Sequence, residues 1–268
     1  MIKFHKLHGL GNDFIFFNCI SQKLPVDKII KQVSALSNRH FGIGSDGVIL
    51  LLPSEKADIR MRIFDSFSGE EAEMCGNGAR CVIYLAHKLK IIKKTKNILL
   101  ETIPGIVEGE IIKDEVKIKL FYPPKVSEKS EKAEGFNFYR VDIGNPHAVI
   151  SVPDLDKIDL HKIGLKIESN LKLFPNKTNV EFFQVISETK LRMKAWERGA
   201  GETLACGTGA SAVAAVYRYL NSNKFDRIIV QMKGGDIELS WKNDDFYMKG
   251  GVEYVFEGDI GLETFDFS

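Results

Sequence analysis

Cys75-Gly-Asn-Gly-Ala79 recurs as Cys206-Gly-Thr-Gly-Ala210, 131 positions further on. The surroundings recur with it. Ile59-Arg-Met-Arg-Ile63 and Leu191-Arg-Met-Lys-Ala195 both alternate apolar and basic residues, the period of a half-buried strand, and Met61 and Met193 stand 132 apart. Gly69-Glu70 is answered by Gly201-Glu202 at 132, and Gly11-Asn12 by Gly144-Asn145 at 133. Four landmarks in order, at a nearly constant offset in a chain of 268 residues, mark an internal duplication.

Each half reads as strands, a loop ending in Cys-Gly-x-Gly, a helix, and more strands. The first helix carries Val82, Leu85, Ala86 and Leu89 on one face, the spacing of an amphipathic helix. The second, from about Gly207 to Leu220, is rich in Ala and reads as deeply buried. The stretch Pro123 to Gly135 has no large apolar residue after Val126 and forms the natural boundary. The expectation is an α+β chain of two similar domains, 1–122 and 123–256, with 257–268 a tail returning to the first.

Bulk properties narrow the function. Lys and Arg number 37 against 36 Asp and Glu, a balance that argues against a nucleic-acid or membrane-surface binder, whose basic residues are in excess. No apolar run approaches the roughly 18 residues of a membrane span, and Met1 to Phe17 is broken by Lys3, His5, Lys6, His8 and Asn12-Asp13, unlike a secretory signal. A cytoplasmic location is expected. The four cysteines lack a Cys-x-x-Cys pair, so no zinc site is expected. Cys19, among Phe16, Phe17 and Ile20, reads as a packing residue, as does Cys81 inside the first helix, whose counterpart is Ala212.

A cysteine at a strand-to-helix turn sits beside the unpaired N–H groups of the first helical turn, which favour a thiolate or a bound carboxylate. One such loop is commonly structural. Two at equivalent positions of a duplicated fold suit a different task, because equivalent loops of duplicated domains usually meet across one cleft. Inverting a carbon centre requires a base on one face and an acid on the other, and a thiolate and a thiol supply them. Without a pyridoxal cofactor, the substrate carboxylate must be held against several N–H donors, and Gly76-Asn77 and Gly207-Thr208 could provide them. No lysine has a distinctive setting for a Schiff base. The expectation is an amino-acid epimerase with no cofactor and no metal.

The residues resemble the diaminopimelate epimerase family along the whole chain: Gly9-Leu-Gly-Asn-Asp-Phe14, Arg39-His-Phe-Gly-Ile-Gly-Ser-Asp-Gly47, Ala72-Glu-Met-Cys-Gly-Asn-Gly-Ala-Arg-Cys81, Gly144-Asn-Pro-His147, Thr178-Asn-Val180 and Trp196-Glu-Arg-Gly-Ala-Gly-Glu-Thr-Leu-Ala-Cys-Gly-Thr-Gly209. The resemblance implies two pseudo-symmetric domains, each a mixed, largely antiparallel curved sheet or barrel around a central helix. It implies interconversion of L,L- and meso-diaminopimelate, for lysine and cell-wall precursors, and possible homodimers. Cys75 and Cys206 would be the acid–base pair, with Gly76, Asn77, Gly207 and Thr208 at the reacting carboxylate. Asn12, Asn145, Asn179, Glu197 and Arg198 would orient the rest of the substrate, Arg198 pairing with the distal carboxylate. His147 and Glu197 would tune the thiols.

One departure stands out. The family usually reads Ile-Phe-Asn-Ala-Asp-Gly-Ser-Glu where this chain reads Ile63-Phe-Asp-Ser-Phe-Ser-Gly-Glu70, placing Asp65 or Ser66 at a substrate-binding Asn. Asp65 or Ser66 is expected to touch the distal end of the substrate, where an aspartate could attract its ammonium. Two other activities remain open: a racemase of the same fold resembling proline racemases, though those usually read Cys-Gly-His-Gly where Asn77 stands, and a hydrolase or transferase using Cys206 as nucleophile with His147. The latter leaves Cys75 without a role.

Overall fold

The computed structural model describes residues 1–265, so the last three residues of the expected tail lie outside the described residues. The elements run β1 (Ile2–Gly9), β2 (Asn12–Asn18), α1 (Val26–Lys31), α2 (Val33–Ser37), β3 (Gly47–Leu52), β4 (Ile59–Asp65), β5 (Glu71–Ala72), α3 (Gly76–Lys88), β6 (Ile98–Glu101), β7 (Ile106–Ile112) and β8 (Glu115–Leu120). They continue as β9 (Lys125–Val126), β10 (Glu131–Ala133), β11 (Phe136–Asp142), β12 (Pro146–Ser151), α4 (Leu160–Glu168), β13 (Asn179–Ser187), β14 (Lys190–Glu197) and β15 (Gly201–Glu202). The rest are α5 (Gly207–Leu220), β16 (Arg227–Met232), β17 (Gly235–Lys242), β18 (Asp245–Gly251) and β19 (Glu253–Ile260). The chain forms two compact units, residues 1–119 with 250 onward, and residues 120–249.

The duplication is legible in strand register. In the first unit β1 pairs antiparallel with β2, β2 parallel with β3, β3 antiparallel with β4, and β4 parallel with β6. In the second, β11, β12, β13, β14 and β16 repeat those pairings in the same senses. Phe14 stands opposite Gly47 and His147 opposite Asn179; Ile49 stands opposite Ile63 and Glu181 opposite Ala195. The pairs are displaced by the 132–133 positions seen in the sequence. Shared register to the residue is what one ancestral half written twice produces, because a slip of one would turn every side chain to the wrong face.

The strands Phe14-Ile-Phe-Phe17 and Val48-Ile-Leu-Leu51 are apolar at every position because both faces are covered. Ile15, Phe17, Val48 and Leu50 pack in a cluster with Ile29, Val33 and Leu36 of α1 and α2. The alternate residue Ile49 points the other way, against α3. In the second unit Ile150, Val180 and Phe182 likewise pack with Leu160 and Ile167 of α4. The remaining helix of each unit lies among strands: α3 packs against β1, β4, β6 and β7, and α5 against β9, β11, β12, β13, β14, β16 and β17. This explains why burial extends beyond the one face of α3 read from the sequence, covering Asn77 to Ile83 without a break. Leu89, expected on the buried face, is the C-cap and only half-buried.

Candidate active site

Each catalytic candidate is a helix cap. Cys75 precedes α3 in extended backbone, and its sulfur accepts from the Gly78 amide at 3.5 Å. Cys206 precedes α5 in the same conformation, and its sulfur accepts from the Gly209 amide at 3.2 Å. Thiols thus occupy the position where Ser or Asp ordinarily satisfies the first turn. The other two cysteines differ. Burial lifts Cys81 to about 12 and Cys19 to about 11, values at which neither ionises near neutrality, and both pack as the sequence suggests.

The second glycine of each loop has a steric cause. Gly78 and Gly209 lie in helical conformation, so no left-handed backbone demands them. A methyl on Gly78 would meet Ile49 Cδ1 at 2.9 Å; one on Gly209 would meet Glu181 Oε1 at 2.8 Å and Cys206 Sγ at 3.1 Å. The glycine lets the neighbouring strand press its side chain onto the first turn.

Those two strand positions are equivalent under the duplication, yet one is apolar and the other ionisable. Around Cys206, His147 Nδ1 lies 2.7 Å from Glu181 Oε1, both side chains fully buried, and His147 Nε2 lies 3.0 Å from Asn145 Oδ1. Burial pushes the Glu181 carboxyl up, and the imidazole pulls it back. Glu197 accepts from Thr203 Oγ1 at 2.6 Å. Burial is the main force on Cys206 itself, and Glu197 and then Glu181 add to it, so its thiol is held well above the ordinary value. The Thr208 hydroxyl and the Gly209 amide oppose this and lose. The helix terminus alone implied a lowered value, but two carboxylates in a dry setting outweigh it.

Asn179 donates from Nδ2 to the Pro146 carbonyl at 3.0 Å and accepts from the Arg198 amide at 2.9 Å, tying β12 to the end of β14. Arg198 is exposed, and its guanidinium donates to the Asn176 carbonyl at 3.1 Å. Gly207 and Thr208 open α5 half-exposed, and the Thr208 hydroxyl is 3.5 Å from Cys206 Sγ. The second unit therefore gathers Asn145, His147, Asn179, Glu197, Arg198, Cys206, Gly207 and Thr208 at the ends of β12, β13 and β14 and the start of α5.

In the first unit Asn12 follows a two-residue hairpin loop, Leu10-Gly11, in which both residues have positive φ (57° and 87°), the turn whose twist suits adjoining strands. Its Oδ1 accepts from Cys75 Sγ at 3.6 Å and from Asn77 Nδ2 at 3.1 Å, while Gly76 begins α3 beside it. Asp65 Oδ1 accepts from the Phe67 and Ser68 amides and the Ser68 hydroxyl at 2.8–3.0 Å. This closes its own loop, a role an aspartate fills as well as an asparagine.

Three residues escaped the sequence reading: Glu181, the fully buried Arg80 and Asp46. The available signal was a lone charge inside an apolar element, Glu181 between Val180 and Phe182, and Arg80 between Ala79 and Cys81.

The diaminopimelate epimerase family model matches over residues 4–122 and again over 139–255, once in each copy of the repeat. The chain belongs to the diaminopimelate epimerase family. Among its relatives, the diaminopimelate epimerase of Brachyspira hyodysenteriae is 43% identical over 281 residues, covering 97% of this chain and 99% of that one. That of Methanococcus maripaludis strain C6 is 43% identical over 283 residues, covering 97% and 100%. The family comprises amino-acid epimerases, and its fold is shared more widely. A phenazine biosynthesis protein of the PhzF family from Bacillus anthracis superposes with a TM-score of 0.74 at 18% identity, covering 97% of this chain and 98% of its own. A probable proline racemase from Agrobacterium radiobacter K84 does so with 0.71 at 16%, covering 100% and 95%. The expected fold, two pseudo-symmetric halves each with a mixed sheet about a helix, is that of these proteins. No described helix is long and apolar enough to cross a membrane.

Proposed function

We propose that the protein interconverts L,L- and meso-diaminopimelate without pyridoxal phosphate, Cys75 and Cys206 acting as base and acid at one α-carbon. The observation that supports this most is that the two thiols cap equivalent helices, 131 positions apart, in two units whose central strands pair in the same order and senses. One thiolate takes the α-proton, the electron pair left on carbon is held by delocalisation into the carboxylate, and the other sulfur delivers its proton to the opposite face. Each turnover therefore exchanges the protonation states of the two sulfurs. Burial and the two carboxylates keep Cys206 protonated in the resting enzyme.

The first-turn amides and side chains of Gly76-Asn77 and Gly207-Thr208 would hold the reacting carboxylate. Asn12, Asn145, Asn179, Glu197 and Arg198 would orient the remaining groups, and Asp65 the distal ammonium. His147 and Glu197 would tune the thiols. A cytoplasmic enzyme of lysine and cell-wall precursor synthesis, binding neither nucleic acid nor membrane and pairing as a homodimer, fits this reading. The test is incubation with L,L-diaminopimelate in deuterated water, with reductant and no pyridoxal phosphate. The reading expects meso product carrying one deuterium at the inverted carbon. A folded, reduced enzyme that neither exchanges nor epimerises would refute it.

A further inference from the structure

In the first unit the place of the His147–Glu181 pair is taken by Phe14 and Ile49, and the polar groups near the thiol are arranged differently. Arg80 is fully buried, its guanidinium slotted where a methyl on Gly9 would lie 3.2 Å from Nη2 and one on Gly250 3.4 Å away. Its Nη2 donates to Asn77 Oδ1 at 2.8 Å. Asn77 Nδ2 donates to Asn12 Oδ1 at 3.1 Å, and Asn12 Nδ2 donates to Asp46 Oδ2 at 2.8 Å. Asp46 is itself held by Arg39 Nη2 at 2.8 Å and by the Asp13 amide at 3.2 Å.

The direction of this chain is not arbitrary. An amide can be turned end for end at little steric cost, but a guanidinium only donates and an ionised carboxylate only accepts. With Arg80 at one end and Asp46 at the other, both amides between them have one allowed orientation. That orientation turns an oxygen lone pair of Asn12, rather than an N–H, toward Cys75, and the thiol donates to it. The second unit lacks this device: the equivalents of Asp46, Asn77 and Arg80 are Thr178, Thr208 and Ser211, and Ser211 merely bonds back to Gly207.

We propose that Asp46 and Arg80 are positioning residues, the charge-fixed ends of a hydrogen-bond chain that locks Asn12 with its oxygen on the Cys75 sulfur. Cys75 is thereby kept as a hydrogen-bond donor until a ligand takes Asn12 Oδ1 out of line. The importance of this for catalysis rests on Cys75 being one of the two acid–base groups.

The test needs no substrate: iodoacetamide alkylation of the intact protein across pH, with peptide mass spectrometry reading Cys75 alone. Asp46→Asn combined with Arg80→Gln replaces both single-function ends with amides that donate or accept, so Asn77 and Asn12 can invert together and Asn12 can offer its N–H groups to the thiolate. The Cys75 profile is expected to move to lower pH by about one unit, a roughly tenfold faster reaction at neutrality. Asp46→Ser combined with Arg80→Met should act likewise, and covers the case in which the first double variant fails to fold; Asp46→Asn alone leaves Arg80 holding Asn77 and should stay near wild type. Arg39→Gln removes the ion pair but leaves the carboxylate, so its profile should stay with wild type.

The altered charges near the thiol would also move the profile, and salt separates the two causes. A Coulombic shift shrinks in 1 M KCl, where the screening length is about 3 Å, whereas a reoriented amide does not. Profiles of both double variants that coincide with wild type, or shifts that vanish in 1 M salt, overturn the proposal. Because alkylation is independent of turnover, a failure of the epimerase reading would not be mistaken for a failure of this one.

Discussion

Glu181→Ala tests the energetic account of the second site. Glu181 and His147 are both fully buried, 2.7 Å apart, and Glu181 presents Oε1 against the first turn of α5. Its other oxygen, Oε2, is buried without a hydrogen-bond partner among the described residues, so nearly all the compensation for burying this group comes from the imidazole. Removing Glu181 leaves the buried imidazole with only its contact to Asn145, and breaking such a pair costs about 3–5 kcal/mol. At the low end, ~3 kcal/mol, a chain of this size should melt roughly 6–12 °C lower. Glu181→Gln keeps an oxygen for the imidazole at equal volume and should lose less than half of that. Thermal melting followed by circular dichroism reads both. If Glu181→Ala melts within a degree or two of wild type, the pair is not the buried, mutually dependent unit described here.

Gly209→Ala, despite a gain of about 1 kcal/mol in helix propensity, should be destabilised by ~1–2 kcal/mol on balance and nearly inactive, because its methyl drives Glu181 and Cys206 apart; melting and turnover check it. Cys206, raised by burial, Glu197 and Glu181, should alkylate slowly at neutral pH and accelerate only above about pH 9 in a site-resolved assay; a midpoint near or below the free-thiol value of about 8.5 would contradict this. For stability, Cys206 and Cys81 have the same sign: a folded value raised above the unfolded one gives a contribution intact below the unfolded value and lost as pH climbs toward the folded one. Melting temperature should therefore fall through pH 9–11. Asp65→Ala should lower stability by about 1 kcal/mol by uncapping its loop and also raise KM, whereas Asp65→Asn should retain the loop; unchanged kinetics in Asp65→Ala would remove it from the substrate site.

Much of the architecture is legible in the sequence, because the duplication is written in landmarks that survive divergence. Cys-Gly-x-Gly marks a helix start, and alternation over Ile59–Ile63 and Leu191–Ala195 marks the preceding strands. Both signals are local, and the structure realises them at the expected offset. What was hidden depends on pairing between distant strands. Glu181 reaches His147 only because β12 and β13 run parallel, a relation across some thirty residues that no local period encodes. The second glycine of each loop recurs in the sequence, but its reason, a strand side chain at under 3 Å, depends on a neighbour distant in the chain. The asymmetry between the halves was hidden for the same reason. His147 and Glu181 differ from Phe14 and Ile49 by type, and only shared register shows that they are the same positions.

Whether Cys75 and Cys206 act at one carbon is tested most directly by comparing wild type with Cys75→Ala and Cys206→Ala on L,L-diaminopimelate in deuterated water. The account predicts deuterated meso product from wild type and none from either variant, with both variants folded. Epimerisation surviving the loss of either sulfur would contradict it.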